Sequence, residues 1–398
     1  MKSLLRKLDP WTLLLWGALV GMSLVALYST TYGPAAEYLE PGVQNSFSRQ
    51  LLWIGVSAVG IGGTLLLPVR FLRYAAYPVY AATLILLVLS LVLGMEVNAT
   101  RAWLALGPFR LQVSELAKVG TVLAAAQLLS ERHTRTGQDL AFALRAAALI
   151  VVPAVLVILQ NDLGTALVFF GLVPIMLFWS GLSLSVLLLM VSPAIAGYLA
   201  LVSTLAALAA AFTAGVTAVI SFVLRKVLQP YQVERLLSFT NPEAEQFRQG
   251  VGFHLVQSKT ALHSGGLWGT GFMQGPQTQG AYVPEQTTDF IFSVVAEEFG
   301  LVGSLLVLGL LAALLLRLIK LGADVKHPFG SIVAAGAVGV YLIHIFINIG
   351  MVTGMLPVIG LPLPFLSYGG SAMLANTALL AIVLNTHMRR EDLSIYGY

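Results

Sequence analysis

The sequence predicts an all-α, polytopic membrane protein with about ten transmembrane helices and one large extracellular loop, residues 230–288. Three observations predict it. Of 398 residues, 58% are hydrophobic and 10% charged, whereas a soluble domain carries roughly 25% charged residues. Apolar runs of about 20 residues recur along the whole chain, the length at which a helix crosses a bilayer. The short alternating segments of a transmembrane barrel do not occur. The chain reads as a single transmembrane domain over 1–398. It has no cysteine, which excludes disulfides and a thiol nucleophile. Its formal net charge of +4 matters less than where the basic residues stand, and no nucleic-acid partner is expected.

Lys2, Arg6 and Lys7 precede the first apolar run, but no cleavage site follows, so the run reads as a retained helix. It covers 11–28, with Asp9-Pro10 as its start signal. A polar loop, 31–49, carries Glu37 and Glu40. The second span is 51–67, followed by Pro68, Arg70 and Arg73, and the third is 75–94. The loop 95–113 holds Asn98, Arg101 and Trp103. Span four, 114–129, leads through the charged turn Glu131–Arg135 to span five, 140–159. Asn161–Thr165 turn tightly into span six, 166–181.

The interval 182–228 is apolar apart from Arg225-Lys226. It is too long for one upright helix at about 1.5 Å per residue, and Pro193 and Gly197 break it. One true crossing plus an interfacial or re-entrant piece fits it best. After the large loop come span eight (290–314), span nine (331–349), a proline-interrupted stretch from Leu356 to Phe365, and span ten (371–386).

Basic residues set the orientation. The N-terminus, Arg70/Arg73, Arg132/Arg135, Arg317/Lys320/Lys326 and Arg389/Arg390 fall on one side in a self-consistent alternation, with both chain termini cytoplasmic. The alternation requires an odd number of crossings between Gly181 and the large loop.

Charges within or beside spans are informative, because a charged side chain at the bilayer centre costs about 2.5 kcal/mol or more. Glu115 and Lys118 lie three apart at the start of span four and share a helical face. They are either an ion pair that steadies the helix end or a fixed pair lining a polar cavity. Asp162 reads first as the N-cap of span six. Asp289 closes the large loop and opens span eight, where Thr287 or Thr288 can cap. The helix dipole there favours an ionised carboxylate, which suits a general base. Glu297 and Glu298 lie about two turns deeper and need polar partners. The stretch from Gln257 to Gly271 is polar and glycine-rich, as for a backbone that approaches a ligand closely or for a plain flexible loop. It is not a P-loop. Arg235, Arg248 and Lys259 are candidates for binding pyrophosphate or are simply solvated.

Several stretches, in order, resemble the SEDS family (shape, elongation, division and sporulation), most closely its RodA branch. They are Asn98–Leu104, Leu111–Lys118, Gln160–Thr165, Tyr231-Gln232 through Arg235, Gln257-Ser258-Lys259 with Ser264-Gly265-Gly266, Pro284-Glu285 with Thr288–Phe292, Ala296-Glu297-Glu298, and Asn348–Val352 leading to Leu363–Ser371. Asn161 and Val113 stand where the family usually has proline, and the interval after Gly181 is longer than usual.

The resemblance implies a bacterial cytoplasmic-membrane peptidoglycan glycosyltransferase with ten spans. It would polymerise lipid II, a disaccharide-pentapeptide on undecaprenyl pyrophosphate, into glycan strands during elongation and shape maintenance. The implied partner is a class B penicillin-binding protein, a transpeptidase, in a setting of membrane lipids. Asp289 maps onto the family's essential aspartate at the extracellular face, and Glu115 and Lys118 onto its polar cavity. The expected substrate site then comprises Asp289 as catalytic residue, with Glu115, Lys118, Arg101, Asp162, Arg235, Gln257, Ser258, Lys259, Glu285 and Glu297.

Chemically, a sugar 4-hydroxyl is a poor nucleophile and needs a carboxylate to take its proton. The pyrophosphate leaving group needs positive charge, from Arg101, Lys118, Arg235, Lys259 or a divalent cation such as Mg or Mn. No organic cofactor is expected. The alternatives are a flippase for the lipid-linked precursor and a scaffold that activates a partner synthase.

Overall fold

The computed structural model describes residues 7–34, 41–97, 100–107, 109–131, 140–181 and 251–391. It is a helix bundle: α1 (Pro10–Tyr32), the short α2 (Pro41–Gln44), α3 (Ser46–Leu66), α4 (Val69–Leu93), α5 (Val113–Ser130), α6 (Leu140–Leu159), α7 (Leu163–Trp179), α8 (Val251–Gly265), the short α9 (Pro276–Gln279), α10 (Ile291–Asp324), α11 (Pro328–Thr353) and α12 (Gly370–Met388). Among the described residues, seven helices are long and apolar enough to cross a membrane. α5 and α7 are not among those seven, α7 being the shorter and α5 carrying Glu115 and Lys118. The expected path of 182–228, and with it the seventh span, lies outside the described residues.

The ends of the helices follow local chemistry. Asp9 caps α1 by accepting from the Thr12 amide, and Pro10 fills the first turn, where its missing N–H is not needed. α10 runs to Asp324 rather than ending near residue 314. Its part after Gly300, residues 301–324, spans about 36 Å at 1.5 Å each, more than a hydrocarbon core of about 30 Å. The last turns therefore continue beyond the apolar layer, where Arg317 and Lys320 need no burial.

The loop 95–113 is not irregular. β1 (Met95–Val97), β2 (Thr100–Leu106) and β3 (Phe109–Gln112) form an antiparallel three-stranded sheet in the order β1-β2-β3. Trp103 sits opposite Gln112, and Leu104 opposite Leu111. The small sheet occupies the stretch that the sequence reads as a loop, in a bundle that is otherwise helical as expected. A β-strand reading was available in the alternating Arg101-Ala102-Trp103-Leu104.

Two chemically different ends result. At one, Arg317 pairs with Asp9, Lys7 with Glu391, and Arg73 Nε donates to Gln127 at 3.2 Å. Arg389 Nη2 donates to the Leu65 carbonyl at 3.0 Å. Burial opposes ionisation of Asp9, but the bonds from Arg317 and Thr12 outweigh it and hold its carboxyl below the usual range. At the other end lie the sheet, the turn before α7, and the segments before α10 and α12. Gln160 Nε2 donates there to the Leu87 carbonyl at 3.0 Å, and the Arg101 amide donates to the Gln160 carbonyl at 3.1 Å. Trp179 donates to Ser331 at the basic end, whereas Ser258 donates to the Val352 carbonyl at the opposite end.

α10 is broken at Gly300, whose φ of 66° and ψ of −158° interrupt the helix. The interruption frees the carbonyls of Glu297 and Glu298 and the amides of Leu301 and Val302. The turn after α8 takes up all four. Thr270 and Gly271 amides donate to Glu297 and Glu298, and the Gly266 and Leu267 carbonyls accept from Leu301 and Val302, at 2.9–3.2 Å. A loop is thereby spliced into a helix with no backbone group left orphaned.

This is why the stretch around 265–271 is rich in glycine. A Cβ at Gly265, Gly269 or Gly300 would come closer than 3.0 Å to backbone of the opposing segment. The glycines serve backbone against backbone rather than a ligand, which corrects one of the two sequence readings. Gly300→Ala is expected to destabilise the protein by about 1–3 kcal/mol. The measurements are a lower melting temperature and faster amide exchange at Leu301 and Val302; unchanged exchange there would refute the splice.

Candidate active site

A cavity of about 310 Å3 opens among the non-basic ends of the helices. Each wall comes from a different element. β2 gives Thr100 and Trp103, β3 gives Gln112, and α5 gives Glu115. The turn into α7 gives Asn161, Asp162 and Thr165. The segment before α10 gives Glu285, Thr288 and Asp289, and the segment before α12 with that helix's first turn gives Pro357–Gly360, Pro362, Tyr368, Gly369, Ser371 and Ala372. Hydrogen bonds lock these walls together. The Gln112 amide donates to Ser371 Oγ at 2.9 Å, and the Tyr368 amide to the Thr287 carbonyl at 2.9 Å.

Asp289 is half-buried on this cavity, immediately before the Phe290 that begins α10. The first amides of α10 and its dipole therefore face it. Neither expected threonine caps the helix. Thr288 Oγ1 donates instead to Glu285 Oε2 at 2.9 Å, and Phe290 occupies the cap position with no side-chain bond. The reason lies in Glu285, whose φ of 49° turns the chain so that its carbonyl takes the amides of both Thr288 and Phe290. Non-glycine residues in this region are strained, and such strain concentrates at functional sites.

Asp162 fulfils both of its readings. It caps α7, accepting from the Thr165 amide at 2.9 Å, and it lines the cavity, where Gln112 Nε2 donates to it at 3.2 Å. Glu115 and Lys118 are likewise both an ion pair and part of the site. They are each 1% exposed and 2.7 Å apart. Glu115 reaches the cavity, and Lys118 lies behind it against His344 Nε2 at 2.8 Å. Glu115 Oε2 is buried and has no hydrogen-bond partner among the described residues.

Four carboxylates, of Glu115, Asp162, Glu285 and Asp289, thus line one cavity, and among the described residues no lysine or arginine lines it. The other expected site residues stand elsewhere. Arg101 turns its side chain outward, 60% exposed, toward Glu96 at 3.5 Å. Gln257, Ser258 and Lys259 are on helix α8. Ser258 is buried and bonded to Ser293 Oγ at 2.8 Å and the Val352 carbonyl at 2.9 Å, so it packs α8 against α10 and α11. Lys259 is exposed, with its chain over Gly354. Arg235 lies outside the described residues.

Glu297 is fully buried away from the cavity. Its carboxylate accepts from the Gln277 amide at 2.8 Å, from the Thr278 amide and hydroxyl at 2.8 and 2.6 Å, and from Ser264 at 3.0 Å. It organises the loop instead of meeting a ligand. Glu297→Ala is expected to cost about 3 kcal/mol or more, since it strands buried donors that now meet a charge. Faster exchange at the Gln277 and Thr278 amides, with a lower melting temperature, is the check.

Two residues went unmarked as site candidates. Asn348 Nδ2 donates to the Asp289 carbonyl at 2.8 Å and to the Leu361 carbonyl at 2.7 Å. His344, one turn earlier, meets Lys118. Both are buried polar side chains in an apolar helix, and that intramembrane polarity was the available signal.

The described residues hold no group of three His, Cys, Asp or Glu side chains arranged to hold a metal ion.

The chain matches the "Cell cycle protein" family of FtsW, RodA and SpoVE over residues 10–392. It is 34% identical over 388 residues to the peptidoglycan glycosyltransferase MrdB of Escherichia coli (strain K12), covering 97% of this chain and 95% of that one. It is 28% identical to the peptidoglycan glycosyltransferase RodA of Treponema pallidum, covering 94% and 97%. Among solved structures it superposes on the rod shape determining protein RodA of Thermus thermophilus with a TM-score of 0.66 at 30% identity, covering 96% and 97%. A chain from a peptidoglycan synthase complex that coordinates polymerisation and crosslinking gives a TM-score of 0.74 at 31% identity, covering 98% and 99%. With its sequence matched almost end to end and its bundle superposed on these chains, the protein belongs to the FtsW/RodA/SpoVE family.

Proposed function

We propose that this membrane protein is a peptidoglycan glycosyltransferase that polymerises lipid II into glycan strands with inversion, in cell-wall elongation. The single observation that carries the assignment is the position of Asp289. It is a half-buried carboxylate at the mouth of α10, on a closed-walled cavity, its backbone pinned by Asn348. In the reaction, Asp289 takes the proton of the acceptor 4-hydroxyl as that oxygen bonds to the donor's anomeric carbon. The bond from that carbon to the pyrophosphate oxygen breaks, and undecaprenyl pyrophosphate leaves with the electron pair. One base on the acceptor side is enough for inversion, unlike the carboxylate pairs of glycosidases.

The cavity's apolar wall, Leu163, Leu167, Val358 and Ile359, suits the prenyl chain, and Leu167 is exposed on the outside of the bundle. The acidic lining does not supply the positive charge that a pyrophosphate needs. Arg235 is the remaining expected arginine for that role, and a divalent cation would arrive with the pyrophosphate. The basic residues at the far end support cytoplasmic chain termini and an outward-facing cavity. The likeness to a chain of a synthase complex supports a class B penicillin-binding protein as partner. The test is purified lipid II added to detergent-solubilised protein. Glycan polymer is expected, and lipid II translocation without polymer would replace this reading with that of a flippase.

A further inference from the structure

Lys118 is held from two sides. Its ammonium donates to Glu115 Oε1 at 2.7 Å and to His344 Nε2 at 2.8 Å. His344 Nδ1 lies 2.9 Å from the Pro362 carbonyl. A carbonyl only accepts, so Nδ1 carries the proton and Nε2 keeps its lone pair for the ammonium. The imidazole is thereby fixed as a neutral strut between a helix that bears the cavity's buried carboxylate and a proline-rich segment that forms its opposite wall. His344 is fully buried and does not line the cavity, whereas Glu115 and Pro362 do.

The unpartnered oxygen gives this strut a consequence. Glu115 lines the cavity at 1% exposure, one of its oxygens is taken by Lys118, and Oε2 is buried with no donor among the described residues. A buried carboxylate oxygen without a donor is costly unless a ligand supplies one. What keeps the second N–H of Lys118 from closing a two-pronged bond onto Glu115 is the competing acceptor, His344 Nε2.

We propose that His344 is a positioning residue that holds Lys118 off Glu115 Oε2, leaving that oxygen free to accept a hydroxyl or amide N–H of the saccharide substrate. The proposal rests on the glycosyltransferase reading above. His344→Leu removes the acceptor, and the ammonium then turns onto Glu115 Oε2 and occupies the substrate's place. Losing one hydrogen bond to a charged group corresponds to about a tenfold to hundredfold weaker saccharide contact.

The experiment measures polymerisation rate against lipid II concentration for wild type, His344→Leu and His344→Gln. A glutamine keeps an oxygen in reach of Lys118. His344→Leu is expected to raise KM about tenfold or more with a smaller change in kcat, and His344→Gln to stay near wild type. In a Glu115→Gln background, His344→Leu is expected to add little further to KM, because the oxygen it protects is already altered. A His344→Leu that lowers kcat and melting temperature without moving KM, or a His344→Gln as impaired as His344→Leu, overturns the proposal. If His344→Leu does not fold, His344→Asn takes its place. It keeps a donor toward Pro362, drops the acceptor offered to Lys118, and carries the same expected rise in KM. Inactivity of the wild-type protein in this assay would instead count against the enzymatic reading itself.

Discussion

Asp289→Ala and Asp289→Asn both yield folded protein that makes no glycan polymer from purified lipid II. The expected loss is at least about 10²- to 10⁴-fold, the contribution of a positioned general base. Asparagine is the sharper variant, since it keeps the shape and polarity of the side chain and lacks only the ability to accept a proton. The fold should survive both changes because this segment is fixed through its backbone. Asn348 holds the Asp289 carbonyl, the Glu285 carbonyl holds the Thr288 and Phe290 amides, and the Thr287 carbonyl accepts from Tyr368. Melting temperature measured beside polymer yield separates the two effects. Normal polymerisation by Asp289→Asn removes the residue from the mechanism.

Lys118→Ala is expected to lose both stability and activity. The ammonium is buried between Glu115 and His344, and its removal leaves a carboxylate at 1% exposure with no counter-charge. Breaking a buried pair from one side costs about 3–5 kcal/mol, more than the pair itself contributes over an apolar replacement. Glu115 would then relax or take up a proton, and a cavity wall would change charge. The measurements are the melting temperature in detergent and polymer yield per folded molecule. If both stay at the wild-type level, the pair is dispensable to fold and site alike. A fall in stability with full activity per folded molecule would leave it a structural pair only.

Much of the bundle was legible because membrane helices are written in long apolar runs, and a bilayer leaves the backbone few other ways to satisfy its hydrogen bonds. Helix ends were read less well where the signal is polar. The continuation of α10 past residue 314 carries arginine and lysine, which end an apolar run without ending a helix. Residues 95–113 are too short and mixed to declare a sheet, and their pairing depends on the α4 end and the turn before α7 beneath them. Asp289, Glu115 and Asp162 stood out as carboxylates at the edges of apolar runs and Glu285 through the family resemblance, and all four line the cavity. Ser258 came from the polar, glycine-rich stretch and Glu297 from its place inside an apolar run, yet both side chains turn into the protein.

By itself, the sequence determined that the chain spans a membrane many times and which ends of its helices gather basic residues. Apolar length and charge placement are local properties, and water and lipid read them residue by residue. Only the tertiary structure decided which carboxylates share a cavity, that the glycines splice a loop into a broken helix, and that His344 and Asn348 brace the site. Those outcomes depend on hydrogen bonds between residues up to hundreds of positions apart, whose partners no single stretch of the chain contains.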